Sequence, residues 1–162
     1  ALPERAQSSQ SEVAMKVLIV LSEPTNSHRI SIVKECVALL KDRSAVCDIH
    51  ATPYDHDSSF GELPASAVAI AVASPGASFP MALAKRLSQP VILLTTVAPN
   101  DAVGAAALAG AQLIGSAATP VSRVAVNHAG EAAALALQLG GLWVRPETAA
   151  AQQAASGSSA NP

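Results

Sequence analysis

Two apolar runs, Val68–Ala73 and Val91–Thr95, are separated by Ser74-Pro75-Gly76 and a helix-like segment from about 77 to 87. Neither run alternates with polar residues, and both contain β-branched side chains, so they read as strands buried on both faces. Together with the intervening segment they form one βαβ unit, which demands a parallel sheet covered by helices on each side. The loop 73–78 then lies at the carboxyl end of a strand and the amino end of a helix. Open α/β sheets bind their ligands at such places.

The remaining chain supplies three more strand-like runs. Residues 16–21, Lys-Val-Leu-Ile-Val-Leu, form a first buried strand, and a helix ending near Arg43 follows, with Ile30, Val33, Val37 and Leu40 on one face. Between them, Asn26-Ser27-His28-Arg29 stands where both an N-cap and anion-binding donors belong. A plain cap by Asn26 or Ser27 and a ligand contact are both open readings. Residues 45–51 are shorter and less apolar, which places them nearer a sheet edge, and Pro53 stops regular pairing. Residues 58–66 are at most a short helix. Asn100 or Asp101 caps a helix over 102–113, and residues 120–126 are a fifth strand. Asn127–Gly130 is a turn, and Gly140-Gly141 ends a helix over 131–139. The expected fold is α/β: a three-layer, flavodoxin-like sandwich with a doubly wound parallel sheet of about five strands.

Composition narrows what such a fold can do. Of 162 residues, 50 % are hydrophobic but only 2 % aromatic, so Ala, Val, Leu and Ile must build the core. The helix over 102–113 is apolar all round, which predicts burial in a sheet or subunit interface, with Gly104 and Gly110 allowing close approach. A homo-oligomer is expected on that ground. Net charge is −2 and the ten Lys and Arg are scattered, so no nucleic-acid partner is expected. No run approaches the length of a membrane helix, so a cytoplasmic protein without a membrane partner is expected. Residues 1–14 read as a disordered extension, 15–144 as the domain and 145–162 as a partly disordered tail, with 142–144 an apolar anchor. Cys36 and Cys47 have neither disulfide nor metal spacing and read as reduced thiols. His50 and His56 with Asp55 and Asp57 have no defensible ligand spacing, so no metal and no cofactor are expected.

Three segments resemble the PurE family, the aminoimidazole ribonucleotide carboxylases and N5-carboxyaminoimidazole ribonucleotide mutases of purine biosynthesis. His50-Ala51-Thr52-Pro53 resembles the family's Ser-Ala-His-Arg-Thr-Pro loop. Residues 77–92, Ala-Ser-Phe-Pro-Met-Ala-Leu-Ala through Pro-Val-Ile, are similar to its Ala-His-Leu-Pro-Gly-Met-Leu-Ala segment and the strand that follows. Residues 120–130 resemble Pro-Val-Ala-Thr-Val-Ala-Ile-Gly-Asn-Ala-Gly. The resemblance covers about 16–142 and implies a cytoplasmic homo-oligomer, an octamer in the family, acting on a phosphorylated or carboxylated small molecule. It implies His50 as general acid and base for carboxylate transfer, a role suited to a side chain that titrates near neutrality. A strand-end histidine capping a carbonyl is the other reading. Ser22, Asn26, Ser27 and His28 would surround the phosphate, Thr52 and Pro53 would flank His50, and Ser74, Gly76, Ala77 and Ser78 would enclose the carboxylate.

The departures from the family pattern oppose this chemistry. Where the family has Gly-Ser-x-Ser-Asp, this chain has Ser22-Glu23-Pro24-Thr25-Asn26-Ser27. An anionic Glu23 and a Pro24 without an amide donor both disfavour phosphate. The glycine-rich Gly-Ala-Gly-Gly-Ala-Ala-His becomes Val72–Ser78 without the histidine, and the family's later Ser-rich loop has no counterpart in 97–119. The alternative is therefore a non-catalytic PurE-like scaffold or small-ligand-binding protein that has lost the active site.

Overall fold

Five runs of the chain pair in parallel in the order β2-β1-β3-β4-β5. They are β1 (Lys16–Ser22), β2 (Val46–Thr52), β3 (Val68–Ala73), β4 (Val91–Thr95) and β5 (Ser122–Arg123). Among the described residues, four helices connect or follow them: α1 (Ser27–Asp42), α2 (Phe79–Arg86), α3 (Ala102–Leu113) and α4 (Ala129–Leu142). This is the flavodoxin-like, doubly wound arrangement expected from the sequence. The structure is a computed structural model and describes residues 14–22, 26–53, 55, 59–113 and 121–142.

The strands alternate side chains between two unlike faces. On one, Val17, Ile19 and Leu21 of β1 and Val68, Ile70 and Val72 of β3 pack with α1 and α4. α4 offers Ala129, Ala132, Ala133 and Ala136 there, so large strand residues meet small helix residues. On the other face β3 presents Ala69, Ala71 and Ala73, and the space is filled by Phe60 and Phe79, the only two phenylalanines of the chain. Complementary sizes reach close packing without an aromatic-rich core. β1 and β3 are buried on both faces, as their unbroken apolar sequences require. β2 lies at an edge and leaves Ile49 58 % exposed.

Several boundaries differ from the sequence-based expectation for local reasons. The helix expected to stop at Gly140-Gly141 runs through both to Leu142. A Cβ at Gly140 would sit 2.3 Å from the Met15 sulfur, so this glycine admits a neighbour rather than ending the helix. Only Ser122 and Arg123 pair in the fifth strand, and no helix occurs among the described residues of 58–66. α3 has the expected span, with Asp101 as its cap through Oδ1 to the Gly104 amide at 2.8 Å. Gly104 makes room for that carboxylate, which a Cβ would strike at 2.3 Å. α3 is not buried in the sheet, however: Val103 is 81 % exposed, and among residues 102–109 only Gly104 and Leu108 are partly covered. The two-residue β5 offers too little sheet surface for α3 to cover. The anchor Leu142–Val144 lies mostly outside the described residues, as do both terminal extensions.

Cys36 is buried and Cys47 half-buried, and both are free thiols. Burial pushes the Cys36 thiol up to about 12, with Cys47 and Glu35 adding to the effect. Burial also raises Cys47. Among the described residues, no helix is long and apolar enough to cross a membrane.

Candidate functional site at the carboxyl edge of the sheet

β1 hands the chain to α1 on one face of the sheet, while β3 hands it to α2 on the other. The carboxyl ends of β1 and β3 therefore diverge, and the crevice between them is the topological switch point where such sheets bind ligands. What converges there is the side chain of Arg29, from the first turn of α1 and only 3 % exposed. Its Nε donates to Thr96 Oγ1 at 2.9 Å, and its Nη1 to the Ser22 carbonyl at 3.3 Å and Ser22 Oγ at 3.0 Å. Its Nη2 donates to Ser74 Oγ at 2.5 Å. The Ser22 hydroxyl in turn donates a hydrogen bond to Asp55 Oδ1 at 2.5 Å, so one hydroxyl links the guanidinium to a carboxylate. Burial lowers the Arg29 pKa and Asp55 opposes that shift. Guanidinium nonetheless stays cationic at any physiological pH.

The helix amino termini beside this crevice are also occupied. Asn26 caps α1, its side chain accepting from the Arg29 amide at 2.7 Å, which decides between the cap readings left open by the sequence. At α2 the Ser78 and Phe79 amides donate to the Asp55 carbonyl at 3.1 and 2.9 Å. Asp55 thus fills the position of an anion on α2 with its carbonyl and accepts from Ser22 with its carboxylate. His28 Nε2 lies 3.1 Å from Asn127 Oδ1, and Oδ1 also accepts from the Val97 amide at 2.8 Å. Asn127 Nδ2 donates to the Val97 carbonyl at 2.9 Å. Those two backbone contacts orient the amide, so His28 must carry its proton on Nε2. Asn127 adopts φ 62°, a left-handed conformation that asparagine tolerates.

Two other regions of the edge are less self-contained. On β2, His50 pairs with Val20 and is half-exposed, on the same face as Thr52 two residues on. Thr52 is fully buried, yet its hydroxyl has no hydrogen-bond partner among the described residues. Pro53 is exposed. Over β3, β4 and β5 opens a cleft of about 180 Å³. Its polar lining is Ser74, Thr95 and Arg123, and Gly76 and Ala77 of the β3–α2 turn line it as well. Its apolar walls are Leu93, Leu108, Val124 and Val126. Among the described residues, the Arg123 guanidinium and the Thr95 hydroxyl have no side-chain partner. Gly76 adopts φ 79°, which lets the turn fold back between strand and helix.

The sequence-selected residues are thus divided among four places. Ser74, Gly76 and Ala77 line the cleft, and Ser22 and Ser74 bind Arg29. Asn26 caps α1 with Ser27 beside it, His28 meets Asn127, and the Ser78 amide meets Asp55. His50, Thr52 and Pro53 stand at β2, about 10 Å from β3 at ~4.8 Å per strand spacing, and outside the cleft. Sequence reasoning placed Arg29 only within the capping segment Asn26–Arg29, weighed Asp55 only as a metal ligand, and passed over Thr95, Thr96, Arg123 and Asn127 as site residues. Arg29 did carry a signal: a cation in the first turn of a helix opposes the macrodipole and needs another reason to be there. No group of three His, Cys, Asp or Glu side chains converges among the described residues, while His56 and Asp57 lie outside them. Set against known proteins, the chain matches no family model and no curated protein.

Proposed function

We propose that the chain is a divergent PurE-like protein that binds a small carboxylate in the cleft over β3, β4 and β5. The observation that carries this reading is Arg123: a guanidinium lining an otherwise largely apolar cleft, with no partner among the described residues. Size narrows the ligand. Sites for drug-sized molecules run from ~300 Å³ upward, so 180 Å³ suits a single carboxylated ring or a short branched acid rather than a whole ribonucleotide. The leucine and valine walls suit the ring, and the hydroxyls of Ser74 and Thr95 suit the carboxylate oxygens. In purine-type metabolism a carboxylated imidazole has this chemistry. The protein would act in the cytoplasm as a homo-oligomer, and the uncharged, exposed α3 supports subunit contact.

Titration of imidazole-4-carboxylate by calorimetry tests this, with imidazole-4-carboxamide as the uncharged control. The carboxylate should bind at least tenfold more tightly than the amide, and Arg123→Gln should remove that preference. Equal binding of both, or binding untouched by Arg123→Gln, would overturn the reading.

One observation favours carboxylate transfer at His50 instead, namely the buried hydroxyl of Thr52, on the same face of β2 and without a partner among the described residues. A buried hydroxyl without a partner is costly and marks a place for a ligand atom or water. Interconversion of the two carboxylated aminoimidazole ribonucleotides, abolished by His50→Asn, would establish that activity. Absence of turnover would leave the chain as a binding protein.

A further inference from the structure

Ser74 belongs to two environments at once. Its Oγ accepts from Arg29 Nη2 at 2.5 Å, and the same residue lines the cleft. A hydroxyl has one hydrogen to give, and an oxygen that receives a guanidinium N–H turns its lone pair inward and its hydrogen away. Among the described residues, nothing accepts that hydrogen. Thr96 and Ser22 hold the other two nitrogens of Arg29, so the guanidinium cannot rotate to release Ser74 without losing several hydrogen bonds.

We propose that Arg29, although it lies behind the wall of the cleft, is the residue that sets its ligand specificity. By donating to Ser74 it makes the Ser74 hydroxyl a fixed donor into the cleft, opposite Arg123. The cleft therefore presents donors from two sides and selects ligands with acceptor oxygens, carboxylates above all, against amines. This rests on the reading of the cleft as a small-carboxylate site and adds to it the origin of the selectivity. Arg29 is a positioning residue, acting through Ser74. Its own Coulombic effect on the cleft is moderated by Asp55, reached through the Ser22 hydroxyl.

A double-mutant cycle on the full chain tests the coupling, with imidazole-4-carboxylate as the probe and circular dichroism as the check of folding. Ser74→Ala should weaken binding about tenfold, the effect of one hydrogen bond to a charged acceptor. Arg29→Met should weaken it by a similar factor in the native background and by less than twofold in the Ser74→Ala background. A purely structural role for Arg29 predicts equal losses in both backgrounds, and that result would overturn the proposal. Arg29→Lys, which keeps the charge and a donor, is measured in the same two backgrounds in case the methionine variant fails to fold. It should lose less than Ser74→Ala does, and its loss should also vanish when Ser74 is alanine. The two claims fail separately. Loss of carboxylate preference in Arg123→Gln without coupling between Arg29 and Ser74 sinks this inference alone. An affinity insensitive to Arg123→Gln removes the site itself, and this inference with it.

Discussion

The two halves of the carboxyl edge handle polar groups in opposite ways. Around Arg29 the hydrogen bonds form one network: three hydroxyls and a carbonyl meet one guanidinium that is 3 % exposed, and one of those hydroxyls donates in turn to the Asp55 carboxylate. Beside it, over β3, β4 and β5, the Arg123 guanidinium and the Thr95 hydroxyl line a cleft and have no side-chain partner among the described residues. Both halves occupy the end of an α/β sheet where ligands are expected. A position at the switch point is therefore not enough to make a binding site. What distinguishes the halves is whether the guanidinium already has acceptors: Ser22, Ser74 and Thr96 supply them to Arg29, and Asp55 accepts in turn from Ser22.

Breaking the closed half should cost most. Arg29→Met removes the donor shared by Ser22, Ser74 and Thr96 and leaves Asp55 without its cation, so stability should fall by about 3 kcal/mol. Urea unfolding measures it, and a loss below about 1 kcal/mol would mean the network is ornamental. The buried Cys36 thiol of α1 comes next. The folded Cys36 pKa, about 12, exceeds the ordinary thiol value, so its contribution is intact below about pH 9 and is lost as pH rises through the folded value. Stability should then drop by about 1 kcal/mol per pH unit above pH 9, and the slope should flatten in Cys36→Ala. Native alkylation should modify half-buried Cys47 well before Cys36.

Smaller effects sharpen the contrast. Thr52→Val replaces a buried hydroxyl that has no partner among the described residues with a methyl of the same shape and should be neutral or stabilising by up to about 1 kcal/mol. Destabilisation there would reveal an ordered partner. Arg123→Gln, in the open half, should leave the unfolding free energy from urea titration within about 0.5 kcal/mol of the native protein. A large loss would show that Arg123 holds the fold together and is not a free ligand group.

The βαβ units were legible because their signals are local. Val68–Ala73 has no polar alternation, so it had to be a central strand, and it pairs with β1 and β4. The weaker run at 45–51 was legible as an edge strand by the same logic. Glycine misled where its reason was tertiary: Gly140 yields to Met15, over 120 positions earlier in the chain, and no local rule reports that contact. The apolar α3 was legible as a helix, but of the two covers its composition allowed, sheet or subunit, the sheet does not supply one, because composition says what a helix can bury and not which neighbour covers it.

The site divides along the same line. Ser22, His28 and Ser74 were marked by their place after strands, a property of the sequence pattern alone. Arg29 gathers its partners from positions 7 to 67 residues away, and Asp55 reaches α2 across the crevice. Hydrophobic periodicity determined the strands, their parallel order and the edge where loops collect, because burial of apolar faces is dictated by neighbours in sequence. Which of those loops joins into a closed hydrogen-bonded network, and which leaves a guanidinium facing a cleft, was decided only by the tertiary structure. Hydrogen bonds act over about 3 Å, and no spacing along the chain encodes which distant groups will come that close.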